Sequence, residues 1–263
     1  MSAVLLELSG ITKSFGRVTV ADDLSLSVAR GETLGVIGPN GAGKTSLFGL
    51  ISGDLEPDRG TVVFDGRPVG KLDAAKRCRL GIGRTYQVPR PFEQMTVFEN
   101  VLLAAEVGAG LKRKEAQRLA FSTLEETGLA RHVNRLAGSL GLLQRKRLEL
   151  ARALATRPTL LLLDEVAAGL TDREVDELIE IVVAARRREA GGELAIIWVE
   201  HVVRALLAAV DRLVCLDGGH VLSDGEPASV MADPKVKEVY LGSDMALSGQ
   251  LGARVSAQAA VRR

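Results

Sequence analysis

The chain has 263 residues, 46% of them hydrophobic, 25% charged and only 3% aromatic, with a formal net charge of +1. That length supports one large α/β domain or two small ones with a sizeable buried core. A charge so close to zero excludes a bulk attraction to nucleic acid or to an anionic membrane, so any partner must be recognised locally.

The opening MSAVLLELSG lacks the positive start and long apolar run of a secretory signal, and no later window holds about 18 consecutive apolar residues. A cytosolic chain without a membrane span is therefore expected. From Val4 to Arg30, short apolar runs broken by turns ("VLLELSG", "VTVADD", "LSLSVARG") predict antiparallel strands. "ETLGVIG", Glu32 to Gly38, is a compact apolar strand running into a glycine-rich turn, and "KTSLFGLISG" then takes helical spacing as far as Gly53. "GTVVFDGRPV" predicts a strand pair about an Asp-Gly turn. From about Pro91 to Ala155 the pattern is mostly helical, in "MTVFENVLLAAEVG", "RKEAQRLAFSTLEETG" and "RKRLELARALA". "PTLLLLDE" and "GELAIIWVEH" are short β-rich apolar runs of the kind that form central parallel strands, separated by the helix pattern "DREVDELIEIVVAARRREAGG". These textures divide the chain into an α/β core over 1–90 and 156–242, a helical insertion over 91–155, and a small polar tail over 243–263 expected to be poorly ordered. Cys78 and Cys215 have neither CxxC spacing nor neighbouring His pairs, and predict two buried thiols in a reducing compartment.

"GPNGAGKTS", Gly38 to Ser46, fits G-x-x-x-x-G-K-[ST] between a strand and a helix. Gly38, Gly41 and Gly43 let the backbone N–H groups of the loop, with those of Asn40 and Ala42, converge on phosphate oxygens. The helix that follows adds its positive end. Lys44 then reaches the β- and γ-phosphates, Thr45 ligates Mg2+, and Ser46 bonds an upstream phosphate oxygen. The competing reading, a glycine-rich turn with a surface lysine, does not account for the strand before and the helix after. "TLLLLDE" delivers Asp164 and Glu165 at the C-terminal end of a buried strand, where parallel α/β sheets place their ligands. Asp164 suits the metal and its water shell, and Glu165 suits a base that orients and deprotonates an attacking water. His201 follows the next apolar run and emerges on the same sheet edge, within reach of a γ-phosphate. His132 and His220, away from that edge, take a structural reading.

The order "GPNGAGKTS", "GRTYQVPRPFEQMTVFENV", "QRKRLELARAL", "LLLLDEVAAGL", "WVEH" resembles the ATP-binding subunits of ABC transporters over about residues 4 to 242. "RTYQVPRPFEQMTVFENV", "LDEVAAGL" and "DPKVKEVYLG" are similar to the branched-chain amino-acid importers within that class. The resemblance implies an α/β fold: a P-loop NTPase (RecA-like) core with an N-terminal antiparallel β subdomain and an inserted helical subdomain. It implies ATP and Mg2+ as ligands, and ATP hydrolysis that powers import of branched-chain or other hydrophobic amino acids. Phe15 would stack on adenine with Val20 beside it. Gln87 would touch Mg2+ and report nucleotide state to the helical subdomain. Gly169 to Asp172 would cross to a second subunit, although Thr171 stands where many relatives carry Asp or Asn. Implied partners are integral membrane permease subunits, a sister ATPase subunit or a second copy of this chain, and a periplasmic binding protein indirectly, at the cytoplasmic face of the inner membrane.

In the family a helix begins with Leu-Ser-Gly-Gly-Gln and binds the γ-phosphate held by the other subunit of a head-to-tail dimer. Here those places fall on Leu140, Gly141, Leu142, Leu143 and Gln144, with a shift of one residue through Ser139 or Gly141 left open. Gly141 and Gln144 are the nucleotide contacts that remain. The missing serine hydroxyl removes one charge-assisted hydrogen bond of about 1.5–3 kcal/mol, which weakens the contact without abolishing it. Leu143, Leu150 and Leu154 share one face and are expected to anchor the helix. Because this element serves the partner's nucleotide while Lys44, Asp164, Glu165 and His201 serve the chain's own, a heterodimer with one weaker composite site is expected. Two alternatives stay open: a nucleotide-gated protein with weak hydrolysis, and an importer of urea or short amides. A soluble relative acting on nucleic acid is disfavoured by the single phosphate loop and neutral charge, and "LKRKEAQR" reads as a solvated helix face.

Overall fold

The computed structural model describes residues 3–187 and 194–241; the tail over 243–263 lies outside the described residues. β1 (Val4–Phe15) and β2 (Val18–Ala29) pair antiparallel. In β2, buried Leu24, Leu26 and Val28 alternate with exposed Ser25 and Ser27, the two-residue period of a strand with one wet face. β3 (Thr33–Ile37) and α1 (Lys44–Ser52) follow. β4 (Arg59–Phe64) and β5 (Arg67–Pro68) meet across the Asp65-Gly66 turn and complete a four-stranded sheet of order β2-β1-β4-β5. α2 (Ala74–Leu80) and the short β6 (Ile82–Arg84), neither of them anticipated from sequence, lead to α3 (Val97–Leu103), α4 (Arg113–Glu126) and α5 (Leu142–Ala155). The chain continues through β7 (Leu160–Asp164), α6 (Asp172–Arg187), β8 (Ala195–Val199) and α7 (Val203–Ala209). It ends in β9 (Arg212–Asp217), β10 (His220–Gly225), α8 (Pro227–Ala232) and α9 (Pro234–Leu241).

The second sheet runs β10-β9-β3-β8-β7-β6, parallel throughout except for the β9–β10 hairpin. Every residue of β3, β7 and β8 is buried, as strands covered on both faces must be. The four leucines of β7 divide by parity. Leu160 and Leu162 join Phe48 of α1 and Phe64 of the antiparallel sheet, while Leu161 and Leu163 join Leu178 of α6 and Trp198. A third cluster, including Val97, Leu124 and Leu148, fills the helical segment. α5 belongs to two clusters at once: Leu150 and Leu154 face the sheet, while Leu148, Ala151 and Ala155 face the helical cluster. Leu143 is only half-buried and joins neither cluster, so it is not the third anchor expected of it.

Two helices start on reciprocal caps. Thr96 and Glu99 form a capping box at α3. At α6, the Thr171 hydroxyl donates to Glu174 Oε2 at 2.8 Å and accepts from the Glu174 N–H at 3.5 Å. Thr171 is therefore a working helix cap. Thr171→Ala is expected to lower stability by about 1 kcal/mol, seen as a shifted urea midpoint at unchanged slope, with Thr171→Ser recovering most of it. Both cysteines are free; Cys215 is buried on β9, whereas Cys78 is only half-buried, contrary to expectation. No helix among the described residues is long and apolar enough to cross a membrane.

Candidate functional site

The register of the parallel sheet sets Val36 and Asp164 against the same residue of β8, Val199. The segments that leave β3, β7 and β8 therefore emerge on one edge, bringing Gly38, Glu165 and His201 to one place. At Gly38 (φ +153°) a Cβ would lie 2.3 Å from the Leu216 carbonyl oxygen, and at Gly43 (φ +100°) one would lie 2.4 Å from that of Val20. Only glycine fits either position, and the result is a bare-backbone cradle suited to phosphate. Asn40 and Gly41 are exposed on the loop, while the Ala42 N–H is turned to the Pro39 carbonyl at 3.2 Å. Lys44 opens α1 almost fully buried, its Nζ donating to the Gly38 and Pro39 carbonyls at 2.6 and 2.9 Å. Burial pulls its pKa below the ordinary lysine value, with Glu165, Cys215 and Asp164 opposing the shift. Thr45 is exposed beside it and Ser46 is half-buried.

Phe15 is 51% exposed, which rules out an ordinary core aromatic, and Lys13 Nζ stands 5.6 Å from its ring centre. Phe15 pairs with Val18 in the β1–β2 register, and the Val20 carbonyl is the one that closes on Gly43. The open ring thus belongs to the hairpin that abuts the phosphate loop.

Asp164 is buried and accepts from Arg84 Nη2 at 3.1 Å. Burial raises its pKa, and the Arg84 hydrogen bond and charge work against that rise. Glu165 takes a left-handed backbone (φ +46°), a conformation that costs a non-glycine residue on the order of 1–3 kcal/mol and collects at functional sites. Its N–H donates to the Val199 carbonyl at 2.9 Å. Its carboxylate is held from two sides: His201 Nε2 lies 2.8 Å from Oε1, and Gln87 Nε2 donates to Oε2. The side-chain nitrogen of Gln87, a residue expected at the metal, is thus spent on Glu165, leaving its side-chain oxygen as the group able to ligate an ion. Among the described residues no cluster of three or more His, Cys, Asp or Glu side chains could hold a metal. The oxygen donors present, the Thr45 hydroxyl, the Gln87 side-chain oxygen and the Asp164 carboxylate, are of the kind that suits Mg2+.

Three contributors went unread in the sequence. Arg84 bridges Asp164, Asp54 and Ser52. Glu200, 2% exposed, accepts from the Ala167 N–H at 2.6 Å and fixes the turn after Glu165. Lys146 is buried in α5 and reaches the same corner. Each binds backbone or a partner remote in sequence, so no local motif announces it.

The start of α5 carries no serine. Gly141 is its cap, exposed and without a side-chain bond. Ser139 lies in the preceding turn, its hydroxyl donated to the Leu136 carbonyl at 2.8 Å, so a one-residue shift does not bring it to the helix start. Leu142 is 47% exposed. Its side chain lies against Gly169, whose Cβ would sit 3.2 Å from Leu142 Cδ2. Half-buried Gln144 turns its side-chain oxygen back towards Gly141. The first N–H groups of the helix remain as anion donors. His132, half-buried in a short turn, and exposed His220, 3.5 Å from Asp22, stand apart from this site.

Two family descriptions match the sequence: ABC transporter over residues 21–168, and Branched-chain amino acid ATP-binding cassette transporter over residues 220–246. The high-affinity branched-chain amino acid transport ATP-binding protein BraF of Pseudomonas aeruginosa is 36% identical over 256 residues, spanning 92% of this chain and 99% of the relative. LivG of Salmonella typhimurium, a protein of the same description, is 35% identical with the same coverage. A solved ATP-binding cassette of an ABC transporter in its ADP conformation matches with a TM-score of 0.80 and 30% identity, covering 92% of this chain and 100% of its own. A nucleotide-free cassette matches with a TM-score of 0.79 and 30% identity, covering 90% and 99%.

Proposed function

The chain belongs to the ATP-binding-cassette ATPases of ABC transporters, and on that premise we propose that it energises the import of branched-chain amino acids from the cytoplasmic face of the inner membrane. The observation that carries the cargo is the second family match over residues 220–246, which accompanies the ATPase core and agrees with the relatives' transport role. In this reading the amides of Gly38 to Gly43 and the Lys44 ammonium hold the β- and γ-phosphates. Phe15 and Val20 receive the adenine, and Ser46 an upstream phosphate oxygen. Thr45 and the side-chain oxygen of Gln87 would hold Mg2+, with Asp164 acting through its water shell, and the ion would supply charge neutralisation at the phosphates. Glu165, pinned between His201 and Gln87, orients water and takes its proton, and His201 faces the γ-phosphate. Gly141 and Gln144 at the start of α5 face the nucleotide of a head-to-tail partner.

The absent serine and the bulk of Leu142 and Leu143 weaken only the partner's site, so a heterodimer with a sister ATPase, docked on two permease subunits and driven by a periplasmic binding protein, gives one strong and one weak composite site. Binding with hardly any turnover is a poorer account, because a sensor has no use for a carboxylate fixed on both oxygens. The test is reconstitution in vesicles with the permease, sister and binding proteins. Leucine should stimulate ATP hydrolysis and enter the vesicles. Stimulation by urea or short amides alone would overturn the cargo, and no gain over this chain by itself on adding the sister would overturn the asymmetry.

A further inference from the structure

Three side chains of α5 converge on one short segment, residues 86–90, which carries Gln87. Lys146 Nζ donates to the backbone carbonyl of Gln87 at 3.1 Å and to that of Glu165 at 3.0 Å. Glu149, one turn on, accepts from the Arg90 N–H at 3.4 Å. Arg152, a further turn on, donates to the Arg90 carbonyl at 2.7 Å and to Glu149 at 3.0 Å. The spacing of three and three lays them along a single side of the helix. Lys146 is 4% exposed and Glu149 6%. Lysine and glutamate are rarely so buried unless their charges are engaged, and burial shifts both pKa values against the charged form.

A stripe needed only for packing would be apolar, as Leu148, Leu150 and Leu154 of this helix are. These three instead supply the hydrogen bonds that the backbone of residues 86–90 lacks as a loop. Lys146 adds something more specific, since one ammonium clamps the backbones of Gln87 and Glu165 together, and the side chains of those residues meet each other. A displacement of α5 therefore pulls on both ends of that contact. α5 begins at Leu142, so Lys146 sits on the second turn behind the helix start.

We propose that Lys146, Glu149 and Arg152 form a polar strap by which α5 positions Gln87 and Glu165 for hydrolysis. The proposal rests on the reading in which Glu165 is the base. These are positioning residues, acting through Gln87 and Glu165 and touching no reacting atom, so the strap controls turnover and leaves nucleotide affinity alone.

The experiment uses the purified full-length chain with MgATP. Lys146→Met, which keeps the stem and removes the ammonium, is expected to lower kcat at least tenfold with KM and the affinity for a fluorescent ATP analogue changed less than twofold. Lys146→Arg should recover most of the loss. Wild-type kcat in Lys146→Met overturns the strap, as does loss of ATP binding that Lys146→Arg does not restore, which would mark Lys146 as merely structural. Should Lys146→Met not fold, Glu149→Gln, which keeps volume and an acceptor, decides: severalfold lower kcat at constant KM supports the strap, and unchanged kcat overturns it. Glu165→Gln in parallel separates the two readings. If it turns over like wild type the base assignment falls by itself; if it is inactive while Lys146→Met is normal, only the strap falls.

Discussion

Glu165→Gln is expected to lower ATP turnover by about 10²–10⁴-fold while MgATP binding is preserved. The substitution keeps the length and planar shape of the side chain but removes its ability to take a proton. The carboxylate is held on Oε1 by His201 and on Oε2 by Gln87, so its direction is fixed before any substrate arrives, and the effect should fall on kcat and not on KM. The strained backbone of Glu165 is set by its N–H bond to Val199, which the substitution leaves in place, so loss of fold does not confound the result. With hydrolysis blocked and binding intact, the chain should accumulate as an ATP-loaded dimer on size exclusion in the presence of MgATP. Steady-state hydrolysis measured beside that elution profile checks both halves; turnover equal to wild type removes Glu165 from its role.

The parts of this site that the sequence announces are those whose chemistry is local. Gly38 to Gly43 is one loop between a strand and a helix that opens on Lys44, so the backbone and side-chain groups read as gripping phosphate are neighbours in sequence. Asp164 and Glu165 end a run of leucines whose burial is dictated by composition, and His201 ends another. What sequence reasoning missed needs a second segment. Lys146, Glu149 and Arg152 look like the polar side of an amphipathic helix until residues 86–90 are laid against them. Arg84 is an arginine in a three-residue strand too short and too rich in glycine to carry a β signal, and its value lies in Asp164 and Asp54 across the fold. The misplaced anchor has the same origin. Leu143 shares the helical period of Leu150 and Leu154, but the first turn of α5 projects beyond the cluster that receives the other two. Periodicity reports which face of a helix is apolar and says nothing of where the neighbouring layer stops. Thr171 is the converse case. It departs from the expected Asp or Asn yet keeps the cap, because a hydroxyl and a carboxylate both accept the N–H that a helix start offers.

Lys44→Ala is expected to reduce affinity for adenine nucleotide triphosphates by a hundredfold or more and to abolish measurable hydrolysis. An ammonium that reaches two phosphates contributes charge-assisted hydrogen bonds of about 1.5–3 kcal/mol each, and no other lysine or arginine is bonded to the carbonyls of this loop among the described residues. The effect on the fold should be small by comparison, since two terms oppose each other. Removing the side chain strips the Gly38 and Pro39 carbonyls of their donor, which costs stability, while it also relieves the burial that already depresses the lysine's pKa. A urea midpoint near wild type combined with a collapsed ATP affinity is therefore the expected pair of results. Lys44→Met, which keeps the buried stem, should share the affinity loss and separate charge from packing. The cradle amides and the positive end of α1 stay intact in both variants, so residual binding should survive at high nucleotide concentration. If instead either variant binds ATP as the wild type does, the glycine-built loop is not gripping a phosphate chain through this ammonium, and the roles given to Thr45, Asp164 and Glu165 around it lose their common centre.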